Sequence, residues 1–170
     1  MKIKFITLLA LLALLTLSIN LYAESINIAD TDGNSYTVEA TDSELKISGM
    51  EGKVVFLEFF GLKCPACKEE MPTLINLQSK YSDKMQVLAI EVQQNDIKPI
   101  NQYKQQHGIN YPTFSNYDIG TLVRFIADKS GWDGKIPFMV GIDKDGQVRF
   151  TQAGLINEDT LAEKITEYSK

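Results

Sequence analysis

Cysteine and histidine are scarce in this 170-residue chain, with two of the first and one of the second. Both cysteines fall in Cys64-Pro65-Ala66-Cys67, so neither has any other partner for a structural disulfide. None lies near the N-terminus, which excludes a lipoprotein anchor. The single histidine, His107, stands far along the chain from the cysteines, a poor supply of ligands for a soft metal. Beside Gly108 it reads as a capping residue at a helix end. Basic residues are the minority, 17 against 22 acidic ones for a net charge of −5, which argues against nucleic acid as a partner. No repeat, low-complexity tract or second domain interrupts the chain, and its length suits one domain with a real core.

An apolar run of full spanning length is also missing. Residues 5–17 are apolar and follow Lys2 and Lys4, which is the physics of an export signal. Ser18 and Asn20 break the run before the roughly 20 apolar residues a membrane helix needs. Residues 1–23 are therefore expected to be a signal peptide cut after Ala23, although Leu21 is large for its place before the cut. A retained membrane anchor is the alternative. Removing this segment takes away two lysines and no acid, so residues 24–170 are more acidic still.

What is present is chemistry in the one cysteine pair. A disulfide across two intervening residues needs the tight first turn of a helix and closes too small a loop to stabilise much. Such a pair is poor structural glue and good redox chemistry, so a thiol-disulfide site is preferred to a lone structural bridge or a metal site. Redox-capable cysteines behind a bacterial-looking export signal point to the periplasm. Cys64 is the candidate nucleophile, because a helix N-terminus stabilises its thiolate. Lys63 can add positive potential, whereas Lys68 reads as solvated charge. Cys67, one turn along and more buried, is the candidate resolving thiol. Its deprotonation in a site that disfavours charge calls for a carboxylate. Glu58 interrupts an apolar strand, where a carboxylate costs several kcal/mol unless paired or protonated. That expense favours a functional role over an edge position reaching water.

Along the chain, residues 25–29 and 35–39 alternate apolar and polar around an Asp-Gly turn, a short hairpin. Residues 41–52 form a connector with room for a short strand or a turn of helix. A buried strand is expected at 54–60, then a helix over 67–81 kinked at Pro72. A second buried strand covers 85–92. A helix is expected at 96–107, with Ile97, Ile100 and Tyr103 at three- and four-residue spacing on one face. Gly108 to Pro112 ends it and begins an extended link, and a further short helix follows at 118–127. Strands 138–142 and 147–151 flank Asp143-Lys-Asp-Gly146 as a second hairpin, and an amphipathic helix closes at 158–168. Alternating strands and helices make this an α/β layer fold.

From about Ile26 to Tyr168 the pattern resembles the thioredoxin fold, and more narrowly the TlpA/ResA-like family of exported thiol-disulfide oxidoreductases. The resemblance rests on the strand-loop-helix from Gly52 through Cys64-Pro65-Ala66-Cys67 to Pro72. It rests also on Ile136-Pro137 leading into Asp143 and Gly146, and on an N-terminal β-hairpin and an inserted helical unit at about 95–127. It implies a central mixed sheet flanked by helices. It further implies a buried acid at Glu58, a glutamate near the site at Glu70 and a cis peptide before Pro137, the one step where cis is accessible at modest cost. The Ile136 backbone would then pair with an extended client peptide, and Trp132 would wall the groove; Phe60 reads equally as a groove wall or as core packing. Glu69 is expected to face solvent. Two departures concern the docking surface, since Lys63 stands where the family has tryptophan and Phe138 where it has threonine.

The implied activity is reduction of disulfides in exported cysteine-containing proteins, with apocytochrome c as the family's client. A membrane thiol-disulfide donor would supply electrons to a monomer needing no cofactor beyond its Cys64–Cys67 disulfide. Oxidase or isomerase action is the alternative, weakened because Pro65-Ala66 lacks the histidine of strong oxidants. A copper chaperone fits poorly for want of a nearby histidine. A peroxidase fits poorly because Gly61 replaces the threonine expected three residues before the reactive cysteine.

Overall fold

The period-two alternation of residues 54–60 builds two cores, one on each side of a single sheet. The computed structural model describes residues 23–170, and the expected signal segment lies outside them apart from exposed Ala23. Strand β4 (Val54–Phe60) is buried along its whole length and sits at the centre of the sheet. Val55, Leu57 and Phe59 point to one core; Val54, Phe56 and Phe60 point to the other. By the same alternation Glu58 is on the second side.

Five strands make this sheet in the order β6-β5-β4-β7-β8. The strands β5 (Met85–Glu91) and β6 (Thr113–Ser115) run parallel to β4. Strand β7 (Phe138–Ile142) runs antiparallel to β4, and β8 (Val148–Ala153) pairs antiparallel with β7 at the sheet edge. Three earlier strands, β1 (Glu24–Ala29), β2 (Ser35–Ala40) and β3 (Leu45–Ile47), form a separate antiparallel sheet. That small sheet brings Ile26, Ile28, Val38 and Leu45 to the first core, where Leu122 and Ile126 of helix α3 (Asn116–Ser130) also pack. The second core is closed by α1 (Pro65–Lys80) through Met71, Leu74 and Leu77, and by α4 (Glu158–Tyr168) through Leu161 and Ile165. The remaining helix, α2 (Ile97–His107), is the inserted unit with α3 and turns only Ile100 fully inward.

Several boundaries differ from the sequence expectation. Helix α1 starts at Pro65, not Cys67, because proline suits the first helical position, where no N–H is needed. It then runs unbroken through Pro72, whose ring is exposed, so the expected kink does not divide it. Residues 113–115 leave the extended link and pair with β5 as an edge strand, since backbone there finds partners along Ala89–Glu91. The connector at 41–52 holds the short strand expected as one of its two options, β3, whereas α3 extends beyond 118–127 at both ends. Ile97, expected on the apolar face of α2, is exposed.

Close packing in the hairpin fixes one glycine. Gly141 pairs with Phe150, and a methyl at Gly141 would overlap the Phe150 ring, which also meets Phe56 at 6.2 Å between centroids. Gly141→Ala is expected to destabilise the protein by about 1–3 kcal/mol through overpacking. Combined with Phe150→Ala it should cost less than the sum of the two, as read by urea denaturation of single and double variants.

Candidate active site

The C-terminal end of β4 delivers the chain, through a three-residue loop, to the first turn of α1. Cys64 is the N-cap, extended at φ −99° and ψ 107°, and its Sγ accepts the Cys67 N–H at 3.1 Å. This places sulfur where unpaired N–H groups and the helix dipole favour negative charge. The two cysteines are joined as a disulfide with Cα atoms 5.3 Å apart. Cys64 retains 8% exposure and Cys67 none, so a client can reach only Cys64 from outside.

Opposite the dithiol, Ile136-Pro137 is a cis peptide. The Ile136 carbonyl lies 3.8 Å from Cys64 Sγ. The β7 ladder begins only at Phe138, so Ile136 stands outside it. The Gly154 N–H donates to the Pro137 carbonyl at 2.8 Å and ties this loop to the end of β8. Half-buried Trp132 steadies it from the other side, donating its Nε1–H to the Lys135 carbonyl at 2.7 Å. The indole packs edge-on against Phe59 and stacks on Phe138. Trp132 thus packs against the first core and braces the cis-proline loop.

Two carboxyl groups are buried on the side of the sheet that holds the cysteine pair. Glu58 is 3% exposed and has no hydrogen-bonding partner among the described residues. Burial first, and the neighbouring Glu70 carboxyl second, hold its pKa well above the ordinary carboxylate range. Glu70, one turn beyond Cys67, is equally buried and accepts the Ile156 N–H at 2.8 Å. Burial raises its pKa and that hydrogen bond pulls it back. The edge-strand reading of Glu58 therefore gives way to a buried acid, because β4 is flanked by β5 and β7 on its two sides. Glu69, the neighbour of Glu70, is exposed.

One sequence-selected residue takes the inward place. Phe60 does not wall the groove: at 2% exposure it lies in the second core beside both cysteines and leans on Tyr103 at 6.3 Å. It points inward because it shares the face of Phe56 and Glu58. Lys63 is exposed, as is Lys68. His107 packs against Tyr103 at the end of α2. Among the described residues, no group of three or more histidine, cysteine or acidic side chains is arranged to hold a metal ion.

Sequence reasoning missed four residues here. Tyr103 and Tyr111 join the second core, and both have a pKa raised first by burial and then by Glu58. Helical spacing marks Tyr103 as an inward position of α2 but not as part of the site, and no local spacing marks Tyr111, which arrives from the segment before β6. Glu91 ends β5 and Gln93 follows it; the Gln93 Oε1 accepts the Lys63 N–H at 2.9 Å, directly before Cys64. A buried acid closing an apolar strand was the one available signal, and Glu91 carried it.

Comparison with known proteins identifies the arrangement. The sequence profile of the AhpC/TSA family matches residues 27–151. The chain belongs to the AhpC/TSA family, of thioredoxin fold. It is similar to the thiol-disulfide oxidoreductase ResA of Bacillus thuringiensis (strain Al Hakam), 27% identical over 118 residues, 64% of this chain and 68% of that protein. ResA of Bacillus thuringiensis subsp. konkukian (strain 97-27) is 26% identical over 150 residues, 86% of this chain and 79% of the relative. A thioredoxin-family thiol:disulfide interchange protein from Chlorobium tepidum TLS shares the fold with a TM-score of 0.68 at 20% identity, over 87% of this chain and 95% of that one. With its Cys64–Cys67 pair at the head of α1, this AhpC/TSA member is a thiol-disulfide oxidoreductase of the ResA type.

The buried acid makes a stability prediction. A folded-state pKa above the unfolded value means the native state binds the Glu58 proton more tightly. Stability is then lost as pH rises from the ordinary value near 4.5 through the folded pKa. Glu58→Gln lacks that loss, so it should become increasingly more stable than wild type across this interval. Urea denaturation of both reduced proteins from pH 4 to pH 9 measures the gap.

Proposed function

We propose that this oxidoreductase works as a periplasmic reductase of disulfides in exported proteins, apocytochrome c being the client class its family resemblance implies. The observation that carries the reading is Glu58, a buried carboxyl without a hydrogen-bonding partner among the described residues, on the sheet face whose core includes Cys67. An acid there serves the step in which Cys67 must lose its proton, the step on which a reductant depends. A raised pKa also improves it as a base, because proton transfer from a thiol is best served by an acceptor of closer pKa.

The chemistry runs in two displacements. The Cys64 thiolate attacks one sulfur of the client disulfide, forming a mixed disulfide and expelling the other client sulfur as a thiolate, which takes a proton from solvent. Cys67 then gives its proton to Glu58 and attacks Cys64 Sγ. The mixed disulfide breaks, the second client thiolate leaves, and the Cys64–Cys67 disulfide closes. Two electrons have passed to the client. A membrane thiol-disulfide donor returns two electrons and reopens the pair, since the periplasm itself is kept oxidising. The apolar run behind Lys2 and Lys4 supports export, with residues 1–23 as the signal.

Client geometry follows from the cis-proline loop. An extended peptide lying against the Ile136 backbone would present its sulfur to Cys64 across the 3.8 Å gap between Sγ and the Ile136 carbonyl. Ile136 and Pro137 bind main chain, and Lys63 lies on the exposed rim beside Cys64.

Three measurements test the reading. Cys67→Ser should retain clients as mixed disulfides on Cys64, and Cys64→Ser should retain few; equal trapping by both overturns the assignment of roles. Glu58→Gln should slow release of reduced client by about 100-fold at pH 7, with the deficit shrinking at higher pH as Cys67 ionises unaided. The reduction potential should fall below about −180 mV, and a value near −120 mV, that of a strong oxidant, would assign oxidase action instead.

A further inference from the structure

We propose that Gln93 is a positioning residue for the redox pair: it holds the 61–63 loop, and through it Cys64, by one side-chain hydrogen bond to the loop backbone. This loop is the only covalent link between the end of β4 and the nucleophile. Within itself it has the Cys64 N–H donating to the Gly61 carbonyl at 3.1 Å. Leu62 packs on the second core, and among the described residues the one side-chain hydrogen bond to the loop backbone from another element is at the Lys63 N–H, which donates to Gln93 Oε1 at 2.9 Å. A backbone N–H can only donate, so the orientation of the Gln93 amide is fixed with its oxygen toward the loop.

Gly61 shows how closely the side chain is seated. Its backbone is not in the left-handed region, so no conformational demand selects glycine there. A Cβ at this position would instead stand 2.6 Å from Gln93 Oε1 and closer still to Gln93 Cδ. Glycine is present because Gln93 occupies the space a side chain would need.

Gln93 is itself anchored by a group the redox chemistry does not use. Glu91 is fully buried at the end of β5. Its carboxylate accepts the Gln93 N–H at 3.0 Å, the Asn95 N–H at 3.0 Å and the Asn95 Nδ2–H at 2.8 Å. Ser115 of β6 adds a hydroxyl donated to the Asn95 carbonyl at 3.0 Å. These bonds hold Gln94 at φ 60°, an unusual conformation for a side chain of its size. The Val92 N–H also donates to the Phe60 carbonyl at 2.9 Å. A continuous set of bonds therefore runs from the sheet through Glu91 and Gln93 to Lys63, one residue from the nucleophile. Burying Glu91 is tolerable because its acceptors are met by three donors.

The consequence concerns Cys64 Sγ. Its alignment with the Cys67 N–H depends on where the loop places Cys64. A freer loop lets the sulfur drift from the donor that stabilises its thiolate, since such sites tolerate only about 0.5 Å of misplacement.

The test uses the reduced full chain, where alkylation reports on Cys64 because Cys67 is inaccessible. Gln93→Ala should slow alkylation at pH 7 by about three- to tenfold and move its pH profile upward, consistent with a less stabilised thiolate. Gly61→Ala, which displaces the Gln93 side chain, should do the same. The double variant should be no slower than Gln93→Ala alone, as expected of residues acting through one contact. Gln105→Ala, an exposed glutamine on α2, should leave the profile unchanged. In wild type the Lys63 amide should be protected from hydrogen exchange, and Gln93→Ala should remove that protection. An unprotected Lys63 amide in wild type overturns the proposal without any variant. An unchanged profile in Gln93→Ala, or additive effects in the double variant, overturns it equally. Neither client nor electron donor enters these measurements, so their outcome is separate from the direction of electron flow.

Discussion

The hydrogen bond from the Cys67 N–H to Cys64 Sγ, 3.1 Å long, is the interaction on which the rest of the molecule converges. It exists only if α1 begins at Pro65, leaving its first N–H groups without helical partners and aimed at the sulfur. That start requires β4 to end at Phe60 and the chain to turn within three residues. It requires α1 to be pinned along the second core by Met71, Leu74 and Leu77. A redox site of this kind is therefore not a decoration on a loop. Moving the helix start by one residue would rotate Cys67 off the buried face and take its N–H away from Cys64.

The same alternation that gives two cores sets up a conflict. Every even-numbered position of β4 faces α1, and one of them, Glu58, is an acid. Its burial, with Glu70 nearby and no cation among the core residues beside them, lowers stability wherever the group ionises. Glu70 is partly relieved by Ile156, whereas Glu58 is not. Tyr103 and Tyr111 thicken this polar pocket without removing its cost, and the Tyr103 hydroxyl is itself buried without a partner. Placing unrelieved polar groups within the core that also holds the two cysteines is a pattern that stability alone does not favour.

Much of this was legible in order along the chain. The Cys64–Cys67 spacing, the apolar run of β4 broken at Glu58, and the Ile136-Pro137 step are all local patterns, and the structure brings them together at one end of the sheet. The second hairpin was readable from Asp143-Lys-Asp-Gly146 because turn chemistry is local. What was not legible came from partners distant in sequence. Residues 113–115 are a strand only because β5 offers a free edge to pair with. Phe60, aromatic and near Cys64, left groove wall and core packing equally open in the sequence, and strand alternation settles it inward. Gln93 has no motif at all, and its importance comes from a contact across 30 residues to the Lys63 backbone.

The two loops that frame the dithiol are held by different means, and the difference bears on what each can do. The cis-proline loop is braced by packing, with Trp132 against Phe59 and Phe138, and by the Gly154 N–H on the Pro137 carbonyl. Its Ile136 backbone lies outside the ladder, so this side offers main-chain groups to a partner. The 61–63 loop has its own main-chain groups engaged, Lys63 by Gln93 and the Gly61 carbonyl by the Cys64 N–H. That side offers a fixed sulfur and little else. A client peptide is thus read by its backbone on the Ile136 side and by its sulfur on the Cys64 side. Such a division suits an enzyme that must accept a cysteine in varied surroundings, since neither half of the contact depends on the client's other side chains.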